Sequence, residues 1–190
     1  QALEVSESTY DRWRNQYGGM KAEAAKRLKE LEDENRRLKQ LVADQALERT
    51  HEIVTHVLAG RPDVMQAMAK NGMYLIIIGK DQVYTDMPEY RNSRNPDFQN
   101  ERVRGTGGLP TSFGEENLLS LPLDRYDDES IAVHEFCHTI DSALGRIDPT
   151  WRQRKTAVYQ AALDKGLWKD TYAGSNSSEY WAEIAQAYFD

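Results

Sequence analysis

A single cysteine, Cys137, stands in a chain of 190 residues, so no internal disulfide can form and packing must hold the fold together. One thiol also says little about the redox compartment, and secreted and cytoplasmic locations both stay open. Long apolar runs are missing too. The longest, Tyr74 to Ile78, falls far short of the roughly 18 residues that span a bilayer, so it belongs in a core and no membrane partner is expected. No charged-then-apolar leader follows Gln1, so no signal peptide is expected in these residues. Repeats and low-complexity tracts are absent. Positive charge is in deficit, with a net charge of −7, and the deficit is uneven. Residues 1–50 carry 10 Lys+Arg and 10 Asp+Glu, whereas residues 51–190 carry 14 and 21. So acidic a body argues against nucleic-acid binding by that part.

What is present divides into two unlike pieces, residues 1–48 and 49–190. Residues 21–48 read as one long helix. With Lys21 at heptad position a, the a and d sites hold Lys21, Ala24, Leu28, Leu31, Asn35, Leu38, Val42 and Gln45. Leucines spaced three and four apart, with charged residues elsewhere, predict a coiled coil. A lone Asn at an a site favours two strands in register, because it pairs only with its own copy. A homodimer through residues 21–48 is therefore the expected partnership. Before it, a short helix is predicted, capped by Ser6 or Ser8 and stopped at Gly18-Gly19. The segment Val5–Asp44 resembles the small subunit of insertion-sequence transposases, in which a recognition helix leads into a leucine zipper. The likeness covers residues 3–48. The earlier helices of a helix-turn-helix are missing from it, and a recognition helix without that support has nothing to orient it. Dimerisation is the expected inheritance, and nucleic-acid binding is not.

Residues 49–190 predict a mainly helical α+β domain. One helix is expected from Glu48 to Leu58, stopping at Gly60, and another from Pro62 to Gly72. Met73 to Ile78 reads as a buried strand. Residues 79–124 are rich in turn chemistry, with a second strand expected only at Leu118–Leu123, and so long an irregular stretch suits one wall of a cleft. Three helices follow. The first begins after Asp127 or Asp128 and ends at Gly145. The second is capped by Asp148, and the third starts near Ser175 to Ser177.

The chemistry sits on the first of these helices, in His134-Glu135-Phe136-Cys137-His138. Residues four apart share a helix face, so His134 and His138 can offer both imidazoles to one zinc ion. Glu135 lies beside them, placed to act as general base toward an activated water. A catalytic zinc needs a third protein ligand and an open position. Leu144 occupies the site ten residues on where another class carries histidine, and no histidine lies further along. A carboxylate from a separate helix is then required. Glu179 and Glu183 are the candidates, four apart, so that one can bind metal while the other orients a histidine ring. Glu179 is favoured as the ligand. Cys137 is expected to be a small buried side chain. His51 and His56, five apart, are expected to be exposed, and for Arg102, Arg104 and Glu115-Glu116-Asn117 a place lining the cleft and plain loop structure both stay open.

Val133–Asp141, followed some thirty residues later by Thr171–Phe189, resembles the catalytic domain of anthrax lethal factor and its relatives among the gluzincin metallopeptidases. The resemblance spans about residues 130–190. It implies a zincin-like fold with a small sheet and a single Zn2+ on His134, His138 and Glu179, with Glu135 as general base. Tyr172 matches a tyrosine whose hydroxyl supports the oxyanion or the leaving amine, and Glu183 and Asp141 match carboxylates behind the ligands. The activity implied is hydrolysis of a polypeptide substrate, with a strand at 73–78 or 118–122 pairing with it. Two rival readings go with it: an inactive zinc-binding interaction domain, and a transposon-derived DNA-binding or scaffold dimer.

Overall fold

The computed structural model describes residues 5–18, 20, 22–126 and 129–189. The chain divides into two compact units, Gln1–Val42 and Ala43–Asp190, with the boundary inside one helix.

In the first unit, α1 (Glu7–Tyr17) starts at Ser6, whose Oγ accepts the Thr9 N–H at 3.3 Å. That bond satisfies one of the orphan donors at the helix start. It closes at Gly18, where a Cβ would lie 2.4 Å from the Arg14 carbonyl oxygen, so glycine is required. Gly19 of the expected stop and Lys21 of the heptad lie outside the described residues. Helix α2 (Ala22–Val57) is 36 residues long. It merges the two helices expected at 21–48 and 48–58, because neither glycine nor proline occurs between Ala22 and Ala59 to interrupt it. In its first part Leu31, Leu38 and Leu41 are exposed, while Arg27–Glu30 and Asp33–Arg36 form pairs one turn apart.

The second unit begins with the rest of α2, where Ala46, Thr50, Ile53 and Val57 repeat at helical spacing and are buried. Helix α3 (Pro62–Lys70) has its proline at the start, where no N–H is missed. Strands β1 (Leu75–Ile78), β2 (Gly105–Thr106) and β3 (Thr111–Gly114) form one sheet in the order β1-β3-β2. The β1–β3 pairing is parallel and the β2–β3 pairing antiparallel. The strand expected at Leu118–Leu123 is not there. Thr111–Gly114 is the strand, and Glu115–Leu118 turns at once into the short helix α5. Asn117 locks that turn: its amide donates to Asp124 and to the Glu129 carbonyl, and its Oδ1 accepts the Ile131 N–H. The short helix α4 (Pro96–Arg102) lies inside the expected irregular stretch.

Helix α6 (Ile131–Ile147) starts after Ser130 and runs past Gly145; Asp127 and Asp128, the expected starting points, lie outside the described residues. Helices α7 (Trp151–Asp164) and α8 (Ser177–Phe189) follow. The main core gathers Val133, Phe136, Ile140 and Leu144 of α6 with Phe113, Val64, Met68, Ala182 and Ala185. Burying each large side chain stabilises the fold by about 1.5–3 kcal/mol. Strand alternation gives the sheet a second face, where Ile76 and Ile78 pack with Tyr84, Met87, Tyr90 and Val103.

Arg104 and Glu116 are buried as a two-pronged ion pair, with Arg104 also donating to the carbonyls of Gln82 and Gly79. This fastens the start of β2, the end of β1 and α5 together. Of the two roles left open for Arg104 and Glu116, neither a cleft wall nor a surface loop is found: both are interior, and their charges satisfy one another.

Candidate metal centre

His134 and His138 lie one turn apart on α6, and Glu179 enters from the first turn of α8. The three ligand atoms form a near-equilateral triangle. His134 Nε2 to His138 Nε2 is 3.1 Å, His138 Nε2 to Glu179 Oε2 is 3.1 Å, and His134 Nε2 to Glu179 Oε2 is 3.3 Å. A tetrahedral zinc with bonds of roughly 2.0–2.2 Å has edges of roughly 3.3–3.6 Å, so the donor set needs to open by only a few tenths of an ångström to hold such an ion.

The protonation pattern makes the same case. The Glu183 carboxylate accepts a hydrogen bond from His134, with Nδ1 and Oε1 at 2.9 Å. A ring held at Nδ1 by Glu183 turns its Nε2 toward the triangle. Glu179 is an acceptor as well. One proton on His138 Nε2 can be shared by at most two acceptors, which leaves converging lone pairs that a cation would satisfy. His134 is buried, with Glu179 and His138 partly so. Burial holds His138 below its ordinary value, against the pull of the Glu179 charge.

Local structure explains how Glu179 arrives there. Asn176 Oδ1 accepts the N–H groups of Ser178 (2.9 Å) and Glu179 (3.0 Å), capping α8. The carboxylate of Glu179 is aimed at the histidines.

Glu135 lies on the same turn, and its carboxylate accepts the Gly107 N–H; burial pushes its pKa up to about 7. Tyr172 stands in a short 3-10 turn near Glu179, and its ring centroid is 6.1 Å from that of His134. Its ring is largely exposed, and the shift of its phenol is upward, through partial burial first and the Glu179 charge second.

Two site residues escaped the sequence reading. At Gly105 a Cβ would lie 2.5 Å from Ile131 Cγ2 and 3.0 Å from Glu135 Cγ, and at Gly107 it would lie 2.4 Å from His138 Cβ. Only glycine lets the edge strand lie directly on the histidine helix. The Gly-x-Gly alternation was the available signal, and it reads equally well as turn chemistry. Thr139 Oγ1 adds a further tie by accepting the Gly108 N–H at 2.9 Å.

Asp141 is corrected. Its hydrogen bonds go elsewhere than to a histidine ring: Oδ1 accepts the Trp151 indole N–H at 2.6 Å and Oδ2 accepts Lys155, while its charge acts to raise His138. Cys137 is buried as expected, and burial pushes its thiol up to about 12. His51 and His56 are exposed and stand apart from the cluster.

Comparison with known proteins illuminates the other end of the chain. A transposase family model matches residues 1–43. The low calcium response locus protein S of Yersinia pestis is 50% identical over 54 residues, covering 28% of this chain and 59% of that protein. An insertion element ISR1 uncharacterized 10 kDa protein of Rhizobium is 48% identical over 44 residues, 23% of this chain and 50% of that protein. An insertion element IS407 uncharacterized 10.0 kDa protein of Burkholderia multivorans is 42% identical over 57 residues, 30% of this chain and 63% of that protein. The chain thus spans half to three-fifths of the length of these curated relatives. No metallopeptidase family or homologue was found. No solved structure matches the chain.

Proposed function

We propose that residues 43–190 are a zinc-dependent peptidase of the gluzincin type, with His134, His138 and Glu179 as the residues that would hold the ion. The observation that carries this reading is the triangle of ligand atoms with edges of 3.1, 3.1 and 3.3 Å, flanked by Glu135. Zinc, when bound, supplies Lewis acidity to a carbonyl oxygen and to water.

The remaining work falls to side chains. The Glu135 carboxylate takes a proton from the attacking water and delivers it to the amide nitrogen as the C–N bond breaks, which suits a carboxyl whose pKa lies near 7. The Tyr172 hydroxyl is free to turn from Glu179 and donate a hydrogen bond to the developing oxyanion. Glu183 fixes the tautomer and tilt of the His134 ring. The expected substrate is a polypeptide, and β1 and β2 are the sheet's two edges, where an extended chain could pair. The rival reading, a zinc-binding domain that acts only by binding partners, lacks a use for Glu135 and Tyr172.

Zinc stoichiometry tests the proposal: one zinc per chain is expected, lost on Glu179→Ala. A purified protein without zinc would overturn it.

A second reading belongs to the N-terminal segment, and the comparisons favour it there. The match of residues 1–43 to a transposase family supports a transposon-derived DNA-binding or scaffolding element that pairs as a homodimer. Salt-dependent binding to duplex DNA is the measurement that decides between the two roles, and its absence leaves scaffolding.

A further inference from the structure

We infer that Lys155 is a positioning residue for the candidate metal centre, fixing Glu179 against the histidine helix from a third helix that supplies no ligand. The inference rests on the zinc reading above.

The Lys155 side chain is only 8% exposed and its partner Asp141 15%. Its ammonium donates to Asp141 Oδ2 on α6 and to Ser178 Oγ on α8 at 3.1 Å. Asp141 comes three residues after the ligand His138, and Ser178 immediately precedes the ligand Glu179. The bridge therefore runs from ligand helix to ligand helix. Burying an ammonium is costly, and an apolar side chain of similar length could fill the same space without that cost. What the ammonium adds is a defined direction and distance.

The neighbouring contacts make the bridge specific. Trp151 occupies the other oxygen of Asp141, which turns Oδ2 toward Lys155. Trp151 meets Trp181 edge-on, with centroids 4.9 Å apart, and the Trp181 indole donates to the Cys137 carbonyl at 2.8 Å. That second tie holds the middle of α8 to α6. The Asn176 cap sets the shape of the first turn of α8 but reaches nothing on α6 in its hydrogen bonds to Ser178 and Glu179. The His134–Glu183 contact and the Trp181 tie hold α8 to α6 from its second turn on, whereas Lys155 ties the first turn, and with it the Glu179 carboxylate, at its distance from the two imidazoles. Ligand atoms tolerate errors of only about 0.5 Å, so this distance matters.

The test is zinc titration of the full chain, with Co2+ absorption as the reporter of coordination geometry. Ser178→Ala cuts the last link and leaves Lys155 paired with Asp141; Lys155→Met removes the bridge. We expect zinc affinity to fall about tenfold for Ser178→Ala and ten- to a hundredfold for Lys155→Met, with a changed Co2+ band in both. Lys155→Arg should recover part of the loss. Arg154→Ala, the adjacent position on α7, should leave affinity unchanged. Near-ultraviolet circular dichroism establishes that each variant is folded, and Ser178→Ala decides the matter if Lys155→Met does not fold. Wild-type zinc affinity and Co2+ spectra in folded Ser178→Ala, or in folded Lys155→Met, would overturn the inference alone. A wild-type chain that binds no zinc would overturn the peptidase reading and this inference with it.

Discussion

One helix serves two regions that could hardly differ more. In its first part, α2 shows Leu31, Leu38 and Leu41 about half exposed. In its second part, Ala46, Ile53 and Val57 are no more than 8% exposed. The backbone and its helical propensity are continuous, so the contrast comes from what each stretch has to pack against. In residues 43–190 the helix's apolar stripe joins a core built with α3, β3, α5, α6 and α8. Residues 5–42 contain only α1 and a very polar length of α2, too little to build a core alone. On the readings proposed above, the two units carry separable properties: chemistry in one, association in the other. Substitutions can break that separation or sharpen it.

The largest effect is expected at Glu135. Glu135→Gln keeps the shape of the side chain and removes the base. Hydrolysis of a proteome-derived peptide mixture, followed by mass spectrometry, should fall by about 10²–10⁴-fold while zinc content stays at one per chain. Loss of zinc together with activity would mean that Glu135 belongs to the metal's support and not to proton transfer.

Next comes the buried pair behind the edge strand. Arg104→Met leaves Glu116 interior and uncompensated, which should cost about 3–5 kcal/mol in chemical denaturation. Gly107→Ala follows, at about 1–3 kcal/mol, because the new methyl meets His138 Cβ at 2.4 Å and must push β2 off α6. Gly107→Ala should also weaken zinc binding, whereas Gly60→Ala, where a Cβ meets nothing within 4 Å but φ is +75°, should cost stability alone.

Much of this was legible beforehand, and the misses share a cause. His134 and His138 share a face as their spacing implied, because helical periodicity brings residues four apart together; Glu179, expected as a carboxylate from a separate helix, reaches them from α8. Strand β1 was found from its β-branched run. Strand β3 was missed because Thr111-Ser112-Phe113-Gly114 carries little hydrophobic signal; it is buried between two partners by tertiary context. Leu118–Leu123 has the apolar content of a strand, yet Asn117 ties that region into a turn through three hydrogen bonds no pattern announces. The conflict at Asp141 is of the same kind. Its spacing from the histidines was visible, but its partners Trp151 and Lys155 lie 10 and 14 residues further along.

The smallest effect on the site is expected from the most visible sequence pattern. Leu31→Ala and Leu38→Ala together remove two exposed side chains of the heptad stripe, 45% and 54% exposed. Each leucine has few contacts to lose within its own chain, so the stability of residues 43–190 should change by less than about 0.5 kcal/mol. Zinc stoichiometry and peptide hydrolysis should be unchanged. Sedimentation equilibrium should show the opposite sensitivity: a dimer in the parent chain, and monomer in the double variant at micromolar concentration. Asn35→Leu sharpens this further. Replacing the polar a-site residue between Leu28 and Val42 removes the pairing that selects two strands, so the association should tighten and shift toward higher order. A parent chain that is monomeric at every concentration would leave the exposed leucines without a partner of their own kind. The transposase-like segment would then have to be read as something other than a zipper.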